Sequence, residues 1–269
     1  MMRNVFLSNF VLAIALSTSV GAQGEDRAQR FLQSCDNDRT PDRARFCELR
    51  HYTIRPSSRL VVDGGDNGGV SFFGWDRDEV KVVAMIQTSA DNDAEAAAMA
   101  KEIRVETGGG RVRAAGPSSW GRNSWSVSYH VYVPRRSNLQ AITKNGGVSA
   151  QLVQGTMEFR ATNGGISLDR VGGDVRAETT NGGVNARLTG STWNGRGLDL
   201  ATTNGGVSLS IPRGYNARLE TGTVNGGMSV DFPVTVQGRI GKHLETQLGS
   251  GGPLVRVVTT NGGVRISQQ

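Results

Sequence analysis

The chain has 269 residues, including 37 glycines and two cysteines, and carries a formal net charge of +6. This length allows one elongated domain or two compact ones, and glycine is about twice as frequent as in an average protein. The glycines are concentrated in short recurring motifs, so the composition does not indicate disorder. A basic protein could bind anionic glycans, lipopolysaccharide phosphates or nucleic acid. Arginines alternate with acidic residues instead of forming a basic stripe, which favours a charge that serves solubility, and the export signal described next argues against nucleic acid.

The first 22 residues have the three parts of a secretory signal peptide. Arg3 gives a positive start, residues 10–16 form an apolar core, and Val20-Gly21-Ala22 matches a small-residue cleavage site. An uncleaved anchor is the alternative, but the apolar run is short for a membrane span. We expect an exported protein that is periplasmic, on the cell surface or secreted, with no membrane span after cleavage.

Residues 23–59 are predicted to form a leader that a disulfide between Cys35 and Cys47 holds in place. Cysteines of an exported chain are expected to pair, and this short loop would stabilise the fold by about 3 kcal/mol on the chain-entropy model. A metal site or a reactive thiol pair is disfavoured, because the spacing is not Cys-x-x-Cys and no other ligands cluster nearby. We expect the leader to cap the open end of the β structure that follows.

Between residues 60 and 138 the sequence predicts strands and one short helix. Residues 60–86 are predicted to form the first strands. Asn92 followed by Glu95 is a capping-box pattern, which predicts a helix over 92–103. The helix has an apolar stripe at helical spacing that we expect to pack on the sheet, made of Ala96, Met99, Ala100 and Ile103.

A hairpin and a longer strand are predicted before the repeats begin. Residues 103–106 and 111–114 would pair around Gly108–Gly110. The stretch from Trp125 to Val133 alternates as a strand, with His130 on its polar face.

A recurring Asn-Gly-Gly motif organises the rest of the chain, and in its most regular part the motifs are 18 residues apart. Asn-Gly tolerates positive φ, so each motif marks a tight reversal or corner. The flanking residues alternate between apolar and polar, which is typical of strands with one buried face. The motif asparagines are Asn67, Asn145, Asn163, Asn181, Asn204, Asn225 and Asn261.

Two architectures fit this pattern. In a β-solenoid each repeat is one coil, whereas in a meander or barrel each motif is a hairpin turn between antiparallel strands. Columns of identical Thr, Asn and Ser residues favour the solenoid, because like residues then stack one strand spacing apart. The sequence therefore predicts an all-β, single-domain β-solenoid over residues 60–269, with coils of about 18 residues. One coil is enlarged at 190–197, and residues 233–253 are either a loop or a degenerate coil.

The chain resembles a bacterial putative-adhesin family. The resemblance rests on Gly68-Gly-Val70, on Gly74–Val80, on the Ala-rich helix, on Val131–Arg135 and on the serial Asn-Gly-Gly-Val motifs. It covers roughly residues 60–269. The resemblance implies an exported bacterial domain of unknown function that is built on a β-solenoid.

The sequence contains no residue cluster that identifies a reaction or a cofactor. The three histidines, His51, His130 and His243, share no motif. The acids of the repeats are scattered and do not form the pair that glycoside hydrolysis needs. Four aspartates at 63, 66, 76 and 78 lack the calcium-loop pattern and are interpreted as solvated turns.

Trp120 and Trp193 are the candidate ligand contacts. Both lie in predicted loops beside small polar residues and an arginine, and exposed indoles can stack on sugar faces. The alternative is that they fold back over the sheet.

We predict a non-enzymatic exported β-solenoid that acts in adhesion, envelope scaffolding or glycan contact. The alternative is a periplasmic protein-partner-binding module. It would use the open solenoid end at Arg265–Gln269, where no capping element follows. A polysaccharide-acting enzyme is disfavoured by the missing acid pair. No cofactor, metal or nucleic-acid partner is predicted, and the partner would be an envelope glycan or an envelope protein.

Overall fold

A computed structural model describes residues 28–35, 43–119, 121–233 and 241–269. The predicted signal peptide and Trp120 lie outside these residues. The described part contains two ten-stranded sheets and two short helices, α1 (28–35) and α2 (Asp93–Glu102). In chain order the strands are β1 (Ala44–Ile54), β2 (Leu60–Asp63), β3 (Val70–Trp75), β4 (Val80–Ala90), β5 (Arg104–Glu106), β6 (Arg111–Ala115), β7 (Ser124–Pro134), β8 (Leu139–Thr143), β9 (Val148–Gln151), β10 (Gln154–Ala161), β11 (Ile166–Asp169), β12 (Gly172–Asn181), β13 (Val184–Arg187), β14 (Gly197–Asn204), β15 (Val207–Ile211), β16 (Ala217–Asn225), β17 (Met228–Val230), β18 (His243–Leu248), β19 (Leu254–Asn261) and β20 (Val264–Gln268).

The repeats form a β-solenoid, as the columns predicted. Sheet I has the order β1-β4-β7-β3-β9-β11-β13-β15-β20-β17, and sheet II has the order β18-β16-β19-β14-β12-β10-β8-β2-β6-β5. Each coil places one strand in sheet II, turns at Asn-Gly-Gly and places the next strand in sheet I. Neighbouring coils pair in parallel, for example β10 with β12 and β11 with β13. The parallel pairing excludes the antiparallel meander.

The core lies between the two sheets and consists of stacked apolar columns. The residue six positions before each late motif asparagine is buried in every coil, and Phe72 stacks on Phe159 with ring centroids 5.7 Å apart. The residues of this column, six positions before the motif asparagines, are Leu139, Met157, Val175, Leu198, Leu219 and Val255. Burial of such side chains supplies the main driving force for folding.

The inward threonines close the corners of the coils. Thr179 Oγ1 donates to Gly164 O at 2.7 Å, and Thr202 Oγ1 donates to Gly182 O at 2.8 Å. Each hydroxyl satisfies a corner carbonyl of the neighbouring coil, which would be left unpaired against an apolar residue. The same contact is made by Thr143, Thr223 and Thr259.

Residues 76–138 build the N-terminal end of the stack. After the first coil (β2 and β3), the chain forms β4, α2, the β5–β6 hairpin and β7, and the second coil then begins with β8. The predicted helix is confirmed: Asn92 is its N-cap and accepts a hydrogen bond from Glu95 N at 3.0 Å. The predicted hairpin is confirmed as well, since β5 and β6 pair antiparallel.

The segment expected to be a leader contributes both α1 and β1. The helix α1 was not predicted. It places Ala28 against Phe73, Val83 and Tyr132 on the outer face of sheet I. A disulfide joins Cys35 at the end of α1 to Cys47 in β1, and β1 pairs antiparallel with β4 at the edge of sheet I.

The prediction for the C-terminal end was wrong in one respect. The last strand, β20, is not at the open end of the stack, because it lies between β15 and β17. Likewise β19 lies between β14 and β16. The last coil in the sequence (β19 and β20) therefore lies between the coil of β14 and β15 and the coil of β16 and β17. Both coils carry the same buried columns, so either stacking order satisfies the alternation pattern.

The described part of 233–253 is neither a loop nor a degenerate coil. It contains β18, which pairs antiparallel with β16 at the edge of sheet II.

Candidate functional site

A groove of about 850 Å³ crosses the outer face of sheet II. It runs over β10, β12, β14, β19 and β16, perpendicular to the strands, and ends beside the start of β18. Five strands at the usual spacing give it a length of about 20 Å. The repeat positions its residues, because every coil presents its outward side chains at the same distances before the motif asparagine.

The floor of the groove is formed by small side chains. Ala201, Val258 and Gly222 are neighbours across β14, β19 and β16 in the register of sheet II. In the adjoining strands the same column holds Arg160 and Glu178. The groove is therefore deepest where these long side chains give way to small ones.

Along one side of the groove runs a wall of charges of alternating sign, of which Arg256 and Glu220 line the groove itself. Its members lie five positions before successive motif asparagines and are direct cross-strand neighbours. In spatial order they are Glu158, Arg176, Asp199, Arg256 and Glu220. Opposite charges directly across parallel strands stabilise the sheet.

The arginines of this wall neutralise the carboxylates around them. Arg256 donates to Asp199 Oδ1 at 2.8 Å and to Glu220 Oε1 at 3.2 Å. Partial burial acts to lower the pKa of Arg256, but its hydrogen bonds to Asp199 and Glu220 outweigh burial and raise that pKa overall. The hydrogen bond to Glu178 likewise raises the pKa of Arg176. The wall thus presents planar donors and acceptors with little net charge.

The other wall is a row of exposed hydroxyls. The residue before the motif asparagine is threonine in four coils that stack successively in sheet II. These residues are Thr162, Thr180, Thr203 and Thr260. A hydroxyl both donates and accepts, so this wall also offers both kinds of polar contact.

The groove ends where β18 pairs antiparallel with β16. Lys242 Nζ donates to Val224 O at 2.6 Å, and His243 is exposed next to it. Gly222 permits this approach, because a Cβ there would lie 2.9 Å from Lys242 O. Val224 is 59% exposed beside these residues and makes this end partly apolar.

The structure does not place Trp193 at the surface, so the expectation of a ligand contact fails for this residue. Its side chain is 3% exposed, and Nε1 donates to Gly173 O at 2.9 Å. The enlarged coil folds the indole back into the core, which was the alternative considered from the sequence. Trp120 lies outside the described residues.

Two other sequence interpretations also need correction. His130 is 7% exposed and packs edge-on against Phe73, so it is not on a solvated face. The repeat acids are not all scattered, since Glu158, Asp199 and Glu220 share one column. Counting five positions back from each motif asparagine would have identified this row of charges from the sequence.

The four aspartates interpreted as turns do not converge on one point. Asp76 accepts from Arg135 Nη2 at 2.9 Å, and hydrogen bonding to Arg135 lowers the pKa of Asp76. Asp63 instead accepts from Gly65 N at 2.9 Å within its turn. Among the described residues, no three His, Cys, Asp or Glu side chains are grouped as a metal site would require.

The chain with this parallel β-solenoid fold matches a known family. The family model described as Toastrack DUF4097 matches residues 77–267, more than half of the chain, and the chain therefore belongs to that family. No curated protein matches the chain. None of the described helices has the length and apolar character needed to cross a membrane.

Several solved structures are similar to this chain. A putative cell adhesion protein from Clostridium sporogenes is 12% identical and aligns over 83% of this chain and 100% of its own, with a TM-score of 0.46. A putative adhesin from Bacteroides fragilis is 8% identical over 83% of this chain and 97% of its own, with a TM-score of 0.28. A putative adhesin from Parabacteroides distasonis is 8% identical over 81% of this chain and 97% of its own, with a TM-score of 0.30.

Proposed function

We propose that this protein is an exported, non-enzymatic, adhesin-like β-solenoid that contacts an envelope glycan through the groove on sheet II. The observation that carries the proposal is the groove itself, with a row of hydroxyls on one side and a row of charges along the other, both repeating at the strand spacing. A linear polysaccharide presents repeating hydroxyl groups along its length. A groove that repeats its own polar groups across five strands suits such a ligand.

The chemistry of the walls supports a sugar ligand. Sugar hydroxyls donate to carboxylates and accept from guanidinium groups, and the row from Glu158 to Glu220 supplies both in alternation. The small floor formed by Ala201 and Val258 suits the C–H faces of sugar rings. Among the described residues that line the groove there is no Trp, Tyr or Phe, so each sugar would be held weakly and affinity would come from many units.

The pairing of the groove carboxylates supports a binding role over a catalytic one. Asp199 and Glu220 are both hydrogen-bonded to Arg256, and Glu178 is bonded to Arg176. A catalytic carboxylate must be free to contact the reacting atoms of the substrate. In each of these carboxylates at least one oxygen is already occupied by a guanidinium group.

Binding of the purified full chain to cell-wall and capsular polysaccharides tests the proposal. Ala201→Trp places a large side chain on the groove floor and is expected to abolish binding. Ser208→Trp is the matched control, because Ser208 lies in the same coil but is exposed on the outer face of sheet I. Equal binding by the two variants, or binding by neither variant nor the unmodified chain, would refute glycan contact at the groove.

Export is part of the proposal and has its own test. The Cys35–Cys47 disulfide is typical of proteins in an oxidising compartment, and the N-terminal pattern predicts cleavage before Gln23. Protease added to intact cells should digest the protein if it is on the surface. Protection until the outer membrane is opened would place it in the periplasm and count against adhesion to other cells. A chain that keeps Met1 in the cytoplasmic fraction would contradict export.

A further inference from the structure

One edge of the two sheets is much longer than the others. The edge strand β1 has eleven residues, whereas the edge strands β17, β18 and β5 have three, six and three. Short edge strands protect a protein against pairing with another chain. Among the described strands only β4 pairs with β1. Every residue of β1 is at least partly exposed, whereas most of β4 is buried.

The sequence of β1 complements itself when a second copy runs in the opposite direction. With Leu49 opposite the Leu49 of the second copy, Glu48 faces Arg50 and Phe46 faces Tyr52. Each pair occurs twice. Opposite charges and aromatic pairs directly across antiparallel strands stabilise a sheet.

Other registers are less favourable. If the register between the two strands shifted by one residue, the inward-facing side chains of one copy would lie opposite outward-facing side chains of the other. A shift of two residues would place Glu48 opposite Glu48, or Arg50 opposite Arg50, depending on its direction. Like charges directly opposite each other destabilise the pairing.

The charged pair at the centre is held in position before any association. Arg50 Nη2 donates to Ala100 O at 2.7 Å, so it lies against the last turn of α2, and it also contacts Glu48. A cation at the C-terminus of a helix is favoured by the helix dipole. On the opposite face of β1, the disulfide joins Cys47 to α1. The strand is therefore fixed on both faces, and no described strand pairs with its outer edge.

We propose that β1 pairs antiparallel with β1 of a second copy about a two-fold axis at Leu49, which joins two ten-stranded sheets I into one. This dimer does not depend on what the groove of sheet II binds. It would present two grooves in one particle, so that a polymer reaching both is held with a higher overall affinity.

Sedimentation of the full chain over a range of concentrations tests the dimer. Thr53 is exposed on β1 and lies opposite Arg45 of the second copy in the proposed register. Thr53→Arg creates two Arg–Arg contacts and is expected to raise the dissociation constant about tenfold. Thr53→Glu creates two Glu–Arg contacts and is expected to lower it several-fold.

Gln247→Arg is the matched control, because it adds the same charge to the exposed face of the edge strand β18. It should leave the dissociation constant unchanged. The circular dichroism of each variant shows whether it is folded. A monomer at every concentration would overturn the proposal, and so would a dimer that Gln247→Arg weakens or that both Thr53 variants leave unchanged.

Discussion

Asn181 Nδ2 donates a hydrogen bond to Asn163 Oδ1 at 2.8 Å, and Asn181 Oδ1 accepts from Asn204 Nδ2 at the same distance. This contact repeats through all seven motif asparagines, which form a ladder with one direction, from Asn225 to Asn67. Each internal member is both a donor and an acceptor. An amide is therefore required, and a carboxylate of the same shape cannot replace it.

Asn181→Asp is expected to destabilise the protein by about 1 kcal/mol. The carboxylate cannot donate to Asn163, and it places two acceptors face to face. Asn67→Asp is the control, because Asn67 lies at the end of the ladder and only accepts a hydrogen bond there. Urea unfolding of both variants measures the difference. Equal losses of stability would show that the direction of the ladder has no energetic consequence.

The two glycines of each motif are expected to differ in their tolerance of a side chain. A Cβ at Gly182 would lie 2.3 Å from Gly164 O in the neighbouring coil, whereas a Cβ at Gly183 would lie 3.4 Å from Gly206 O, an ordinary contact. We therefore expect Gly182→Ala to cost about 1–3 kcal/mol through backbone displacement, and Gly183→Ala to cost much less. Thermal unfolding of the two variants side by side checks this. A larger loss for Gly183→Ala would contradict the stacking of the corners.

The sequence was sufficient to predict the coils because each coil repeats a side-chain pattern with a physical cause. Alternation identified the buried columns, and Asn-Gly-Gly identified the corners. The sequence shows the threonine column but not its role. The stacked coils show that each threonine donates a hydrogen bond to a corner carbonyl, such as Gly164 O. Columns of identical residues favour the solenoid over the meander, because only in a solenoid do those residues stack on each other in neighbouring coils.

The order of the last coils and the groove could not be predicted in this way. Leu219 and Val255 occupy the same column, so neither specifies which coil is outermost. The depth of the groove depends on Ala201, Val258 and Gly222 becoming neighbours, and Val258 is 57 residues from Ala201 in the sequence. Their contact follows from the inserted last coil. Trp193 is hidden because the enlarged coil folds inward, which no local pattern indicated.

Two buried threonines are predicted to respond in opposite ways to the same substitution. Thr221 is fully buried, and its hydroxyl has no hydrogen-bond partner among the described residues. Thr202 is 5% exposed, and its hydroxyl donates to Gly182 O. Thr221→Val should stabilise the protein by about 1 kcal/mol, and Thr202→Val should destabilise it by a similar amount. Urea unfolding measures both, and destabilisation by Thr221→Val would mean that its hydroxyl is satisfied in solution.

Buried tyrosines are predicted to make the fold sensitive to alkali. Burial raises the pKa of Tyr215 to about 12 and also raises that of Tyr129, and neither hydroxyl has a partner among the described residues. An unfolded tyrosine ionises near pH 10, so the unfolded chain releases these protons first. The stabilisation is complete below about pH 10 and is lost as the pH rises towards 12.

Tyr215→Phe isolates one of these two contributions. Phenylalanine cannot ionise, so the variant should lose on the order of 1 kcal/mol less stability than the unmodified protein between about pH 10 and pH 12. At neutral pH it should be no less stable, because the hydroxyl that it removes has no partner among the described residues. Urea unfolding at a series of pH values gives both comparisons, and tyrosinate absorbance reports the ionisation directly. Parallel loss of stability in the two proteins would show that Tyr215 ionises as readily in the folded chain as in the unfolded one.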